Sequence, residues 1–159
     1  MKGAILNKGE KYHTYLSKIF KAIDNEQIKY NWLITDYICY PKDNNIKDIF
    51  SKEYLWITGE ELTEIINKED FQFIWGILSG FSKDISIEEI LKYKLPYADE
   101  NCDLWNKEVK TQHPHANIEI VAWDSTLTLF ISKEEKLVQR FRENFPLSED
   151  LLEVNTRNE

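Results

Sequence analysis

Cysteine, methionine, proline and glycine are all scarce in this 159-residue chain, at two, one, four and five residues. Two cysteines, Cys39 and Cys102, cannot form a disulfide framework, so a cytosolic (cytoplasmic) setting with reduced thiols fits, with a single Cys39–Cys102 bridge as the alternative. No apolar run approaches the roughly 18 residues of a membrane span, and residues 1–6 lack the apolar core of a signal peptide. Positive charge is also short: 20 Lys and Arg stand against 28 Asp and Glu, a net charge of −8. Residues 1–80 carry 10 basic and 12 acidic groups and residues 81–159 carry 10 and 16, so the second half holds −6 of the −8. That balance argues against nucleic-acid phosphate as a partner and permits a basic protein. P-loop, GxGxxG, GxSxG, HExxH and CxxC motifs are all absent, as are internal repeats, and no cofactor is implied.

What is present centres on 118–145. Ile118-Glu119-Ile120-Val121-Ala122-Trp123 is a β-branched, apolar run, and Thr126-Leu127-Thr128-Leu129-Phe130-Ile131 alternates polar with apolar. Asp124-Ser125 between them suits a two-residue hairpin turn. With Trp123 opposite Thr126, Ala122 faces Leu127, Ile120 faces Leu129 and Ile118 faces Ile131, all on one side of the sheet. The period then changes. Ser132-Lys133-Glu134-Glu135 has the form of a capping box before a helical stripe of Leu137, Val138, Phe141 and Phe145, which Pro146 ends.

Taken in order, 2–6 suits a first strand, and Tyr12, Tyr15, Leu16, Ile19, Phe20 and Ile23 predict a helix over 10–23. Residues 30–34 and 37–40 suit a second hairpin about Thr35-Asp36, and 54–57 an edge strand. Capping boxes at Thr58-Gly59-Glu60-Glu61 and Ser86-Ile87-Glu88-Glu89 open two further helices. Residues 71–81 are apolar on both alternating faces, as in a central strand covered on both sides, with a buried helix left open. Residues 94–117 have no clean period, which is long for a connection inside a compact domain and often marks function. Residues 148–154 suit one more helical turn. The expected architecture is a single α+β domain over 1–154, with a frayed tail at 155–159. It is a two-layer sandwich: an antiparallel sheet with helices packed mainly on one face.

This layout resembles a family of small proteins of Gram-positive bacteria catalogued as a domain of unknown function. The resemblance rests on Lys2-Gly3, Tyr15-Leu16, Tyr30-Asn31-Trp32-Leu33-Ile34, Thr58-Gly59-Glu60-Glu61-Leu62, the strand at 73–81 and Asp124-Ser125. Residues 94–117 and the ending Phe145-Pro146-Leu147-Ser148-Glu149-Asp150 depart from the family pattern. The resemblance implies no catalytic residues. In style, rather than by motif, the chain is also similar to small acidic immunity proteins of bacterial toxin systems.

Two functions are open. The first is a non-catalytic acidic binding protein, of which an immunity-type inhibitor of a bacterial toxin is one form. Trp105 lies in the irregular stretch among Asp99, Glu100, Asp103 and Glu108, the composition of an anchor for a basic protein surface, or else it folds back to pin its own loop. The second is a small metal-assisted hydrolase. His113 and His115 flank Pro114, so in an extended segment both imidazoles point one way and can share a metal, with Asp124 as third ligand or general base. Two exposed loop histidines with no metal are the simpler account. Asp124-Ser125 and Cys102 are weaker candidates: turn residues satisfy their own backbone, and acidic neighbours raise a thiol pKa.

Overall fold

The computed structural model describes residues 1–158. Among them seven strands form one antiparallel sheet: β1 (Lys2–Leu6), β2 (Tyr30–Cys39), β3 (Leu55–Thr58), β4 (Phe73–Ser82), β5 (Ile118–Trp123), β6 (Leu127–Ser132) and β7 (Glu149–Asp150), in the order β3-β2-β4-β5-β6-β1-β7. The helices are α1 (Leu16–Ala22), α2 (Asn44–Ile49), α3 (Gly59–Lys68), α4 (Ile87–Ile90), α5 (Glu135–Asn144) and α6 (Leu151–Arg157). The α+β class and the antiparallel sheet are as the sequence predicts. No helix among the described residues is long and apolar enough to cross a membrane. Cys39 and Cys102 are free thiols, and burial pushes the Cys39 thiol up to about 12.

Both faces of the sheet are buried. On the first, Trp32, Ile34, Leu78, Ile118, Ile120 and Phe130 pack with Leu16, Ile19 and Phe20 of α1, Leu62 and Ile66 of α3, and Leu137 and Phe141 of α5. On the second, Ile5, Ile77, Val121, Leu129 and Ile131 pack beneath Ala98 and Leu104 of the irregular segment and Leu151 and Val154 of α6. Leu33 and Phe81 of that face lie under Ile90 of α4 and Ala116. The second face is therefore roofed by α4, α6 and segment 94–117, beyond a simple two-layer arrangement.

Burial on both sides explains why the hairpin register is one residue later than expected. Trp123 pairs with Leu127, Ile120 with Phe130 and Ile118 with Ser132. Asp124 and Ser125 take left-handed φ values of 47° and 53°, and Thr126 stays in the loop, its N–H bonded to the Trp123 carbonyl at 3.0 Å. Leu129 and Ile131 thus turn to the second face, where an apolar roof awaits them, and Thr128 and Ser132 turn to the first. There the Thr128 hydroxyl donates to the His13 carbonyl, and Ser132 Oγ accepts from Glu134 N at 3.0 Å. A register argument from alternation works only when one face is wet.

Other expectations shift for local reasons. The 30–40 region is one strand rather than a hairpin: Asp36, at φ 47°, marks a bulge between Thr35 and Ile38, and pairing with β4 resumes beyond it. The first helix begins only at Leu16, because the Thr14 carbonyl accepts from Phe73 N at 3.3 Å and Tyr15 is extended. The last long helix begins at Glu135, with Glu134 as its N-cap, so Ser132 ends a strand and does not cap it. Thr58 and Ser86 do cap α3 and α4, accepting from Glu61 N and Glu89 N at 3.1 and 3.2 Å. The tail expected from Asn155 is helical through Arg157, and Asn155 is buried; Glu159 lies outside the described residues.

Ile120 is 1% exposed between Leu78 and Phe130. Ile120→Asp should unfold the protein, since an unpaired carboxylate there costs several kcal/mol. A thermal melt within about 2 °C of the parent would contradict this placement.

Candidate functional site

Segment 94–117 contains one short 3-10 turn, Cys102–Trp105, and otherwise no regular structure. Its backbone must therefore find partners elsewhere. Side chains supply them. Asp36 Oδ2, re-aimed by the β2 bulge, accepts from Ala98 N at 2.7 Å and Asp99 N at 3.1 Å. The Gln112 side chain binds both Tyr97 N and Tyr97 O at 3.0 Å, and Asn101 Nδ2 donates to the same carbonyl at 2.9 Å. Asn155 Nδ2 from α6 reaches Asn106 O at 2.8 Å. The segment is a clamped layer of the fold.

It presents an aromatic face. Trp105 meets Trp123 edge-on at 5.1 Å between ring centroids, and Trp123 meets Trp75 at 4.9 Å. All three are half-buried. Ile38 pairs with Trp75 across the strands and is 44% exposed, so it extends the face. Trp105 thus pins its own loop and still offers part of its indole. Asp99, Glu100 and Asp103 are exposed; the Asp99 N–H is held by Asp36, two residues from Ile38, and Asp103 lies two residues before Trp105. Glu108 is exposed too, but its carboxylate pairs with Lys110 at 3.0 Å.

The two histidines stay near each other without forming a metal-ligand pair. His113 is fully buried: its Nε2 donates to Ile90 O at 2.9 Å, and its Nδ1 accepts from His115 N at 3.1 Å. Both ring nitrogens are thereby used, which fixes the neutral tautomer, and burial lowers its pKa further. The ring packs on Phe81 and Tyr93, each at 4.9 Å. His115 Nε2 bonds Tyr93 Oη at 3.0 Å. Asp124 sits at the far end of β5, in a hairpin tip that Ser125 N ties to Ile74 O at 2.8 Å. Among the described residues no three His, Cys, Asp or Glu side chains gather as a ligand set.

One group escaped sequence reasoning. Glu119 is the single charged residue in the β5 run, and with the other face taken as wet it passes for a surface residue. It is instead 0% exposed, under the segment. Gln112 N donates to its Oε2 at 2.8 Å, while Oε1 has no hydrogen-bond partner among the described residues. Burial pushes its carboxyl up to about 7, against the pull of the Gln112 N–H. Its cross-strand neighbours are Ser79 and Ile131, and Ser79 Oγ is likewise buried and unpartnered. The two-sided apolar pattern of β4 is the signal that could have found it, since the strand beside a doubly covered strand tends to be covered as well.

A protein-family model described as "Protein of unknown function (DUF2691)" matches residues 1–106. No curated protein and no solved structure matches the chain. The matched region holds β1 to β4 and ends just past Trp105, but β1 reaches β4 only through β6 and β5. Residues 107–159 are therefore integral to the sheet.

Glu119 makes stability depend on pH. Its folded pKa lies above the ordinary 4.5, so its contribution is complete below that value and is lost as pH rises to about 7. Denaturant unfolding between about pH 5 and 8 should show a decline of a few kcal/mol that Glu119→Gln abolishes. Superimposable pH profiles for the two proteins would contradict it.

Proposed function

Because the chain belongs to the DUF2691 family, whose description assigns no activity, we propose from its surface that it is a non-catalytic binding protein for a basic protein partner. One observation carries this: the Trp75–Trp123–Trp105 face, continued by exposed Ile38, includes an indole whose own segment carries the exposed carboxylates of Asp99, Glu100 and Asp103. Half-buried tryptophans held rigid by their neighbours lose little freedom on binding, and aromatic anchors dominate many interfaces. A carboxylate rim steers a cationic partner and speeds its association. The acidic excess of the second half of the chain acts in the same direction. An immunity-type inhibitor of a cationic toxin is the specific form of this function that we favour.

The test must separate recognition from folding, because truncating Trp105 also strips packing from Trp123. Asp99→Lys/Glu100→Lys/Asp103→Lys changes only exposed side chains. Its melting temperature should stay within a few degrees of the parent, while capture of a basic partner from the native host falls at least about tenfold, as the reversal of three rim charges implies. If that partner is a toxin, the parent should neutralise it in a co-expression assay and the triple variant should not. Equal capture by the two proteins would refute the proposed surface.

A further inference from the structure

Among the side chains that tie the irregular roof to the rest of the fold, one is a buried acid. Glu119 stands on the covered face of β5 with a single recorded hydrogen bond, from the Gln112 amide of the roof. Beside it on β4 lies another buried polar atom without a partner among the described residues, Ser79 Oγ. The row through Glu119 runs Leu33, Ser79, Glu119, Ile131, Gly3 across five strands. None of its other members is ionisable. From the roof come Gln112 and its neighbours; His113 is turned away into its bonds with Ile90 O and His115 N, and Lys110 pairs with Glu108 at the surface. From α4 the neighbour of His113 is the Ile90 carbonyl, and from α6 Leu151 lies over Gly3. Lys133 Nζ donates to Pro114 O and Lys94 lies over the Tyr97 ring, and among the described residues the carboxyl feels only its burial and the Gln112 N–H.

We infer that protonation of Glu119 gates the seating of segment 94–117: the roof is closed over the neutral acid and opens to admit water when the acid ionises. A neutral carboxyl is tolerated among Ser79, Ile131 and Gln112, whereas an ionised one has a single N–H donor and no counter-charge. Water can reach the carboxylate only if the roof lifts, because the other side of β5 is packed against the helices. The same roof carries Trp105, Asp99, Glu100 and Asp103, so the gate also regulates the proposed binding surface; that consequence rests on the binding function above, and the gate itself does not.

The sign follows from linkage. The open segment leaves Glu119 with its ordinary pKa and the closed one raises it, so opening grows as pH rises between those values and levels off above them. Amide hydrogen exchange on the full chain, corrected for the intrinsic pH dependence of the chemistry, reads this directly. Between about pH 5 and 8, exchange at Ala98, Asp99 and Gln112 should rise by tens of fold, approaching tenfold per pH unit inside the window. Amides in the middle of β5 and β6 should stay far slower at every pH, because they open only with the whole fold, whose stability declines over the same window. Glu119→Gln should abolish the rise, since its amide cannot ionise yet can still accept from Gln112 N. A second measurement needs no variant: the carboxyl carbon resonance of Glu119 in the parent should titrate apart from the surface carboxylates and nearer neutrality. A flat exchange profile in the parent, an equal rise in Glu119→Gln, or a Glu119 resonance that titrates with the surface groups would overturn the gate. If exchange behaves as expected but capture of the basic partner is unaffected by pH in both proteins, the gate stands and the binding surface has been misplaced.

Discussion

A backbone without helix or strand must still satisfy its N–H and carbonyl groups, and this protein meets that demand with side chains from four places. Asp36 from a bulge in β2, Gln112 and Asn101 from within the segment, Asn155 from α6 and Glu119 from β5 together hold 94–117 against the sheet. The rest depends on that clamp. It covers the second face, turns β5 into a strand buried on both sides, and places Trp105 against Trp123. Without it, α6 and α4 alone would cover Val121, Leu129 and Ile131 only in part.

That double burial decided what was legible in the sequence. Strand β1, the edge strand β3, the central strand β4 and two of the three helix caps follow from local pattern and capping chemistry, which depend on near neighbours. The hairpin register and the continuity of β2 do not, because each is set by what packs on the far side. Thr128 and Ser132 look like solvent-facing positions, yet their hydroxyls find partners inside. Thr35-Asp36 looks like a turn, but Asp36 is bent to serve Ala98 and Asp99, residues more than sixty positions away.

The candidate site was legible in the same uneven way. Tryptophan among carboxylates in an aperiodic stretch pointed to Trp105, and the structure shows that half-buried indole packed edge-on against Trp123, as a pin for its loop. The histidine pair was visible as composition only. The tautomer that ties His113 to Ile90 and His115 depends on the fold of the roof, as does the burial of Glu119. The family match runs over β1 to β4 and the first half of the roof, while Gln112, Glu119 and α6, which fasten it, lie beyond.

With Glu119 neutral, segment 94–117 is a rigid, side-chain-clamped layer of the fold. Backbone ¹⁵N relaxation at mildly acidic pH tests it most directly. Ala98, Asp99 and Gln112 should show order parameters of about 0.85, matching the strands beneath them. Values under about 0.6 at these amides, with the sheet itself rigid, would contradict the claim.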